Sequence, residues 1–176
     1  MSNISDTGTN KNDTDNLKDY KDALSNFLTG IVIITCIDND GKPFGITINS
    51  FNSVSLNPKI ICWSLGNHNP YKNSFLSQNY LIQILNSSQK DIAKQFSKTS
   101  LSKDFNQENF ITHNKLPLLK GCLAWFECSL YQSHNIGDHI LLLSEVLNFS
   151  IHTKSQNSSS QSLAFFKRDI FGIDKN

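Results

Sequence analysis

The chain has 176 residues and a mass of 19.8 kDa, which suits one domain with a tail and excludes two independent cores. Lysine and arginine number 16 against 15 acidic residues, a formal charge of +1. That balance is too flat for a dedicated nucleic-acid binder, whose phosphate contacts need a surplus of cations.

Fifteen of the 16 cations are lysine and Arg168 is the single arginine. A bound phosphate must therefore rely on backbone amides, hydroxyls or lysine rather than on several guanidinium forks. No apolar run approaches the roughly 20 residues that span a bilayer. The polar first 22 residues carry neither a basic nor an apolar signal region. These features predict a cytoplasmic protein with no membrane partner. Cys36, Cys62, Cys122 and Cys128 form no CxxC pair and sit among strand-like residues, which predicts free thiols. The five histidines are scattered without metal-ligand spacing, and no metal site is expected.

Residues 1–22 read as a disordered polar tail, since so few hydrophobes cannot offset the roughly 1–2 kcal/mol per residue of backbone ordering. The folded domain is expected over residues 23–173. A short helix over 17–28 would place Leu17, Tyr20, Leu24, Phe27 and Leu28 on one face. The β-branched run 30–37, the turn Asp38-Asn39-Asp40-Gly41 and the alternating run 44–50 then predict a hairpin. A third strand follows over 59–65, a short helix after Asn69-Pro70, a fourth strand over 80–85 and a second helix over 86–96.

Residues 97–120 show no period. Two long strands, 122–134 and 139–149, flank the turn Asn135-Ile136-Gly137-Asp138, and a last strand at 163–166 follows a Ser/Gln-rich loop at 154–162. Strands joined mainly as hairpins, with only short helices between them, predict a mainly-β barrel rather than a doubly wound sheet.

The GxGxxG, GxxxxGK[ST], HExxH and GxSxG patterns are all absent, which disfavours a Rossmann domain, a P-loop and an α/β-hydrolase. The segment Thr47-Ile48-Asn49-Ser50-Phe51-Asn52-Ser53-Val54-Ser55 leaves a strand and gathers hydroxyls, amides and exposed peptide groups. It suits a many-oxygen or anionic ligand such as a phosphate and ribityl chain. Asn and Ser make up 44 of the 176 residues, so composition alone explains such a segment equally well. Gly137-Asp138-His139 is ordinary turn chemistry when taken alone, and Phe96 alone reads as core.

The order of these blocks adds what none carries singly. Residues 29–35, Asp40-Gly41-Lys42-Pro43-Phe44-Gly45-Ile46-Thr47, Asn49-Ser50-Phe51-Asn52-Ser53-Val54-Ser55-Leu56-Asn57-Pro58, residues 119–128 and Gly137-Asp138-His139 resemble the flavin reductase-like family of FMN-binding split barrels, over about residues 23–171. The resemblance implies a six-stranded antiparallel split β-barrel of Greek-key type with short connecting helices. It also implies a homodimer, and hydride transfer from NADH or NADPH to FMN or FAD, in many members for a separate monooxygenase.

Carried over by motif, Thr47, Ile48, Asn49, Ser50 and Phe51 would line the isoalloxazine edge. Ser53, Val54 and Ser55 would meet the ribityl and phosphate, with Asn86, Ser87 and Gln89 adding phosphate donors at a helix start. Thr29 and Val32 would lie under the ring, Phe96 would cover the flavin or an adenine extension, and Phe166 would lie on the last strand beside it. His139 would sit near the nicotinamide. Val32 replaces a common family threonine, and Arg168 stands where the family often has glycine. The alternative is an FMN-binding electron carrier on the same barrel without efficient nicotinamide use. A single-stranded nucleic-acid module, its aromatics stacking bases, fits poorly with the flat charge.

Overall fold

The computed structural model describes residues 11–98, 105–151 and 161–173. In chain order these form α1 (Lys11–Leu24), β1 (Thr29–Gly30), β2 (Val32–Ile37), β3 (Pro43–Ile48), β4 (Asn52–Leu56), β5 (Lys59–Gly66), α2 (Lys72–Ser77) and β6 (Tyr80–Ile84). A 3-10 turn (Ser87–Gln89) leads into α3 (Lys90–Ser97). Then come β7 (Phe110–His113), β8 (Leu116–Leu119), β9 (Ala124–Ile136), β10 (His139–Ile151), β11 (Ser162–Phe166) and β12 (Asp169–Ile173).

The main sheet has seven strands in the order β3-β2-β6-β9-β10-β5-β4, every pairing antiparallel. Its two edges, β3 and β4, are consecutive in the chain: Ile48 ends one and Asn52 begins the other. Four Cα steps reach at most about 15 Å, whereas the edges of a flat seven-stranded sheet would lie about 29 Å apart. The sheet therefore curls, and the expected mainly-β split barrel results, with seven strands in its sheet where six were expected because residues 52–56 add a strand at one edge. Its filling confirms the curl. Val32, Ile34, Phe44, Ile61, Trp63, Tyr80, Ile82, Cys128, Ile140 and Leu142 come from six strands and form one buried cluster, with Phe75 of α2 closing it.

Alternate residues of β2 point the other way. Ile31 and Ile33 join Leu85, Ala93, Phe96, Phe110, Leu119 and Leu163 in a second core outside the barrel. Both faces of β2 are thus covered, which explains its unbroken apolar run. A buried polar chain ties β8 to this wall: Gln83 donates to Thr35 Oγ1 (2.8 Å), Thr35 donates to the Pro117 carbonyl (2.6 Å), and the Leu119 amide donates to Gln83 Oε1 (2.5 Å).

The structure departs from the sequence expectations in several places. Helix α1 begins at Lys11, so the described part of the polar N-terminal segment is helical rather than disordered; residues 1–10 of the expected tail lie outside the described residues. Residues 52–56 form a strand instead of a loop, turning into β5 through a cis Asn57-Pro58 bond. The aperiodic 97–120 stretch contains the β7–β8 hairpin, and the chain after Phe166 returns as β12. The polar loop expected at 154–162 lies almost wholly outside the described residues.

All four cysteines are free, as the sequence predicts. Burial pushes the thiols of Cys36 and Cys122 from 9.0 up to about 12 and about 11, and raises Cys128 further still. A group whose folded pKa lies above its unfolded value stabilises the fold below the unfolded pKa and loses that contribution as pH rises toward the folded one. Thermal melts are therefore expected to be level from pH 7 to 8 and to fall between pH 9 and 11. Melting temperatures constant to pH 11 would contradict this.

Candidate functional site

Three strand ends and one helix end surround a hollow of about 230 Å3, lined by Ile31, Thr47, Ile48, Asn49, Ser97, Phe165 and Ile170. β3 brings Thr47 and Ile48 to it as an edge strand. The β11–β12 hairpin brings Phe165 and Ile170, which face each other in register. Thr47 Oγ1 donates to the Ala93 carbonyl (2.8 Å), fixing α3 against β3 so that Ser97 completes the wall. Thr29 lies opposite Phe165 in the β1–β11 pairing, and its buried Oγ1 has no partner among the described residues.

The walls are mostly apolar, but one rim is polar. Asn49, Ser50 and Phe51 lie between β3 and β4. Among the described residues their three consecutive main-chain N–H groups donate to no protein acceptor. Successive unpaired amides beside an apolar slot form a donor edge for carbonyl or anionic oxygens. Ser50 Oγ accepts from the Ser64 amide (3.0 Å), pinning this connection to β5. Two residues further along β5, Gly66 pairs with His139. The amide rim and His139 thus share one stretch of β5, about 7 Å apart along the strand.

His139 begins β10. Its Nδ1 lies 2.7 Å from Asp138 Oδ1, and the imidazole is half exposed. The hydrogen bond from His139 holds the Asp138 carboxyl below its usual value. Because the carboxylate can only accept, the proton resides on Nδ1 and leaves Nε2 toward solvent.

Residues 24–174 match the family model described as flavin reductase like domain. The chain belongs to the flavin reductase like family. The FMN reductase (NADH) SmoA of Agrobacterium fabrum is 31% identical over 134 residues, 76% of each chain. The reductase component of the flavin-dependent trigonelline monooxygenase of Acinetobacter baylyi is 34% identical over 135 residues. That match covers 76% of this chain and 44% of the relative, so this chain spans about half the length of some of the curated relatives it matches. Among solved structures, BorF, the flavin reductase component of a bacterial two-component tryptophan halogenase, superposes with a TM-score of 0.81 at 25% identity. It covers 91% of this chain and 99% of its own.

Within this flavin reductase like fold the other sequence-selected residues fall into separate places. Ser53 and Ser55 lie on β4, flanking the register shift at Val54, which is 54% exposed. Phe51 packs on the barrel core and stacks on Phe126 at 6.0 Å. Val32 is buried in the barrel, its backbone paired with Ile48.

Phe96 is 1% exposed and pressed against Gly45, where an added Cβ would lie 3.0 Å from its ring. As the fold stands, that ring is enclosed by the second core rather than presented to a ligand. Phe166 alternates to the opposite side of β11 from Phe165, with Lys167 Nζ 5.4 Å from its ring centre.

The turn at Asn86 is already satisfied from within. Asn86 Oδ1 accepts from the Ser88 amide (2.8 Å), its Nδ2 donates to the Gly121 carbonyl (2.6 Å), and its own amide donates to Gln89 Oε1 (3.0 Å). Gln89 Nε2 donates to the Lys120 carbonyl, and Ser87 reaches Gln161 through both amide and hydroxyl. These groups are spent on the capping box and its neighbours.

Sequence reasoning missed Ile31, Ser97, Phe165 and Ile170. The only available signal was alternation on β11, which puts Phe165 and Phe166 on opposite faces. Among the described residues no cluster of histidine, cysteine, aspartate or glutamate could hold a metal ion, and no helix is long and apolar enough to cross a membrane.

Proposed function

We propose that the protein is an NAD(P)H:flavin oxidoreductase that reduces FMN or FAD and releases the reduced flavin to a separate monooxygenase. The observation that carries this reading is the run of unpaired amides at Asn49, Ser50 and Phe51, which starts at Asn49 in the wall of an apolar slot and leads away from it along the connection to β4. The slot is smaller than the roughly 300–1,000 Å3 of a pocket for a whole drug-sized ligand, which suits a ring system whose polar chain lies outside. The orphaned Thr29 Oγ1 offers a further polar contact behind Phe165.

A flavin in this site supplies the electron sink for a hydride from the nicotinamide. The chain binds and orients. Ile31, Ile48, Phe165 and Ile170 exclude water from the ring, and the amides of residues 49–51 stabilise negative charge at its carbonyl edge. With the Asn86 turn engaged, Ser53 and Ser55 are the better phosphate and ribityl donors. His139 positions the nicotinamide through Nε2. Arg168 is held by Asp22 (2.8 Å), so a 2′-phosphate would find only lysines, and NADH is the preferred donor.

We further propose a homodimer. β10 pairs with β5 only as far as Glu145↔Ile60. Beyond that its β5-side edge has no strand partner among the described residues, and this stretch carries Leu147 (52% exposed), Phe149 and Ile151, while Leu56, two strands away on β4, is 89% exposed. An open apolar strand edge invites pairing, and a second copy offers the same edge about a two-fold axis. Leu56→Asp/Phe149→Asp is expected to sediment at half the wild-type mass; an unchanged mass would refute this interface.

The activity is tested by mixing the protein with excess FMN or FAD and each nicotinamide nucleotide in air. Consumption of NADH, faster than NADPH, is expected. No turnover with either nucleotide would leave the electron-carrier reading in its place.

A further inference from the structure

The β9–β10 hairpin turns through two residues, Gly137 and Asp138, between the paired Ile136 and His139. Gly137 takes φ +58, the left-handed first position of a type II′ turn. The side chains at this tip have little packing: Asp138 is 89% exposed and His139 51%. What anchors the tip is Asn67, the first residue after β5. Its amide donates to the Asp138 carbonyl (2.9 Å), and its Nδ2 donates to the Gly137 carbonyl (2.9 Å). One residue therefore takes both peptide oxygens of the turn. Its Oδ1 is buried with no partner among the described residues. Flipping the amide would set that oxygen against the Gly137 carbonyl, so the donor orientation is the one the site enforces.

We propose that Asn67 is a positioning residue for the Asp138–His139 pair, fixing the turn so that Asp138 holds the His139 Nδ1 proton and Nε2 points to the nicotinamide. The inference rests on the role given to His139 above. An unpartnered buried oxygen costs stability, and that cost accompanies a clamp made at both turn carbonyls. Asn67 is expected to touch neither flavin nor nicotinamide; it acts through His139.

The test uses Asn67→Asp, which keeps the shape and removes the donor, alongside Asn67→Ala, His139→Ala and the Asn67→Asp/His139→Ala double variant. Loss of one such hydrogen bond is expected to raise KM for NADH about tenfold, with flavin affinity changed less than about twofold. In the His139→Ala background the same substitution should add less than about twofold. Nitrogen NMR of His139 should show the Nδ1-protonated tautomer in the wild type and a mixture in Asn67→Asp.

Unchanged KM and tautomer in both Asn67 variants would overturn the proposal. So would a tenfold rise in KM that persists without His139, or an equal loss of flavin affinity. If His139→Ala leaves NADH kinetics intact while Asn67→Asp still mixes the tautomers, the clamp is supported and the nicotinamide role of His139 is the part that fails.

Discussion

Replacing Trp63 by alanine is expected to destabilise the protein by about 3–5 kcal/mol, the range for emptying a buried aromatic site. Trp63 is fully buried and meets Phe75 and Tyr80 edge-on at 5.2 and 5.6 Å. Its Nε1 donates to Ser144 Oγ at 3.1 Å, and Ser144 lies 2.6 Å from the Tyr80 hydroxyl. β5, β6 and β10 thus meet at one buried polar point inside the barrel. Burial pushes the Tyr80 hydroxyl up to about 12, so it remains a neutral partner at working pH. Against a total of about 5–15 kcal/mol for an ordinary domain, the loss should lower the melting temperature by roughly 6–20 °C. Trp63→Phe keeps most of the ring volume and loses the donor, and should cost less than half as much in a urea titration. Equal losses for the two variants would show that the hydrogen bond outweighs the packing.

Gly45→Val should couple the fold to the site. A Cβ on Gly45 would lie 3.0 Å from the Ile34 carbonyl oxygen and 3.0 Å from the Phe96 ring. The carbonyl belongs to the paired strand β2 and cannot retreat, so Phe96 and α3 must move. Overpacking of this kind costs about 1–3 kcal/mol. Moving α3 also breaks the Thr47–Ala93 bond and shifts Ser97 out of the hollow's wall. Flavin affinity is therefore expected to fall tenfold or more, about 1.4 kcal/mol or beyond, in a protein that still melts cooperatively. Unaltered flavin affinity in a folded Gly45→Val protein would show that α3 does not shape the binding hollow.

The parts of the fold that were legible in the sequence are those with a buried face. The β2–β3 hairpin, β5, β6 and the long β9–β10 pair announced themselves by β-branched runs, alternation or a Gly-Asp turn. β4 did not, because four of its five residues are exposed and its short Ser-Val-Ser-Leu alternation leaves Val54 and Leu56 exposed rather than in a core. The β7–β8 and β11–β12 turns were equally silent. Asn114 and Lys115 take φ +47 and +69, and Lys167 and Arg168 take +47 and +64, so both turns use left-handed residues other than glycine. Arg168 tolerates its conformation while bonded to Asp22 and to the Lys18 carbonyl (3.5 Å), which ties α1 to the hairpin.

At the site, the ordered motif pointed to residues 47–55 and to His139; of these Thr47, Ile48 and Asn49 line the hollow, and Ser50 and His139 contact the same stretch of β5. The rest depended on tertiary register. Nothing in the chain order tells that Phe165 and Ile170 face the Thr47 end of β3, or that the Asn86 side chain is consumed by Gly121.

The most direct measurement of the central claim is a titration of FMN and of FAD with the protein, followed by flavin fluorescence. An apolar slot edged by the amides of residues 49–51 should bind the ring and give a saturable change for at least one flavin. Fluorescence that stays constant for both flavins at every protein concentration would contradict the account.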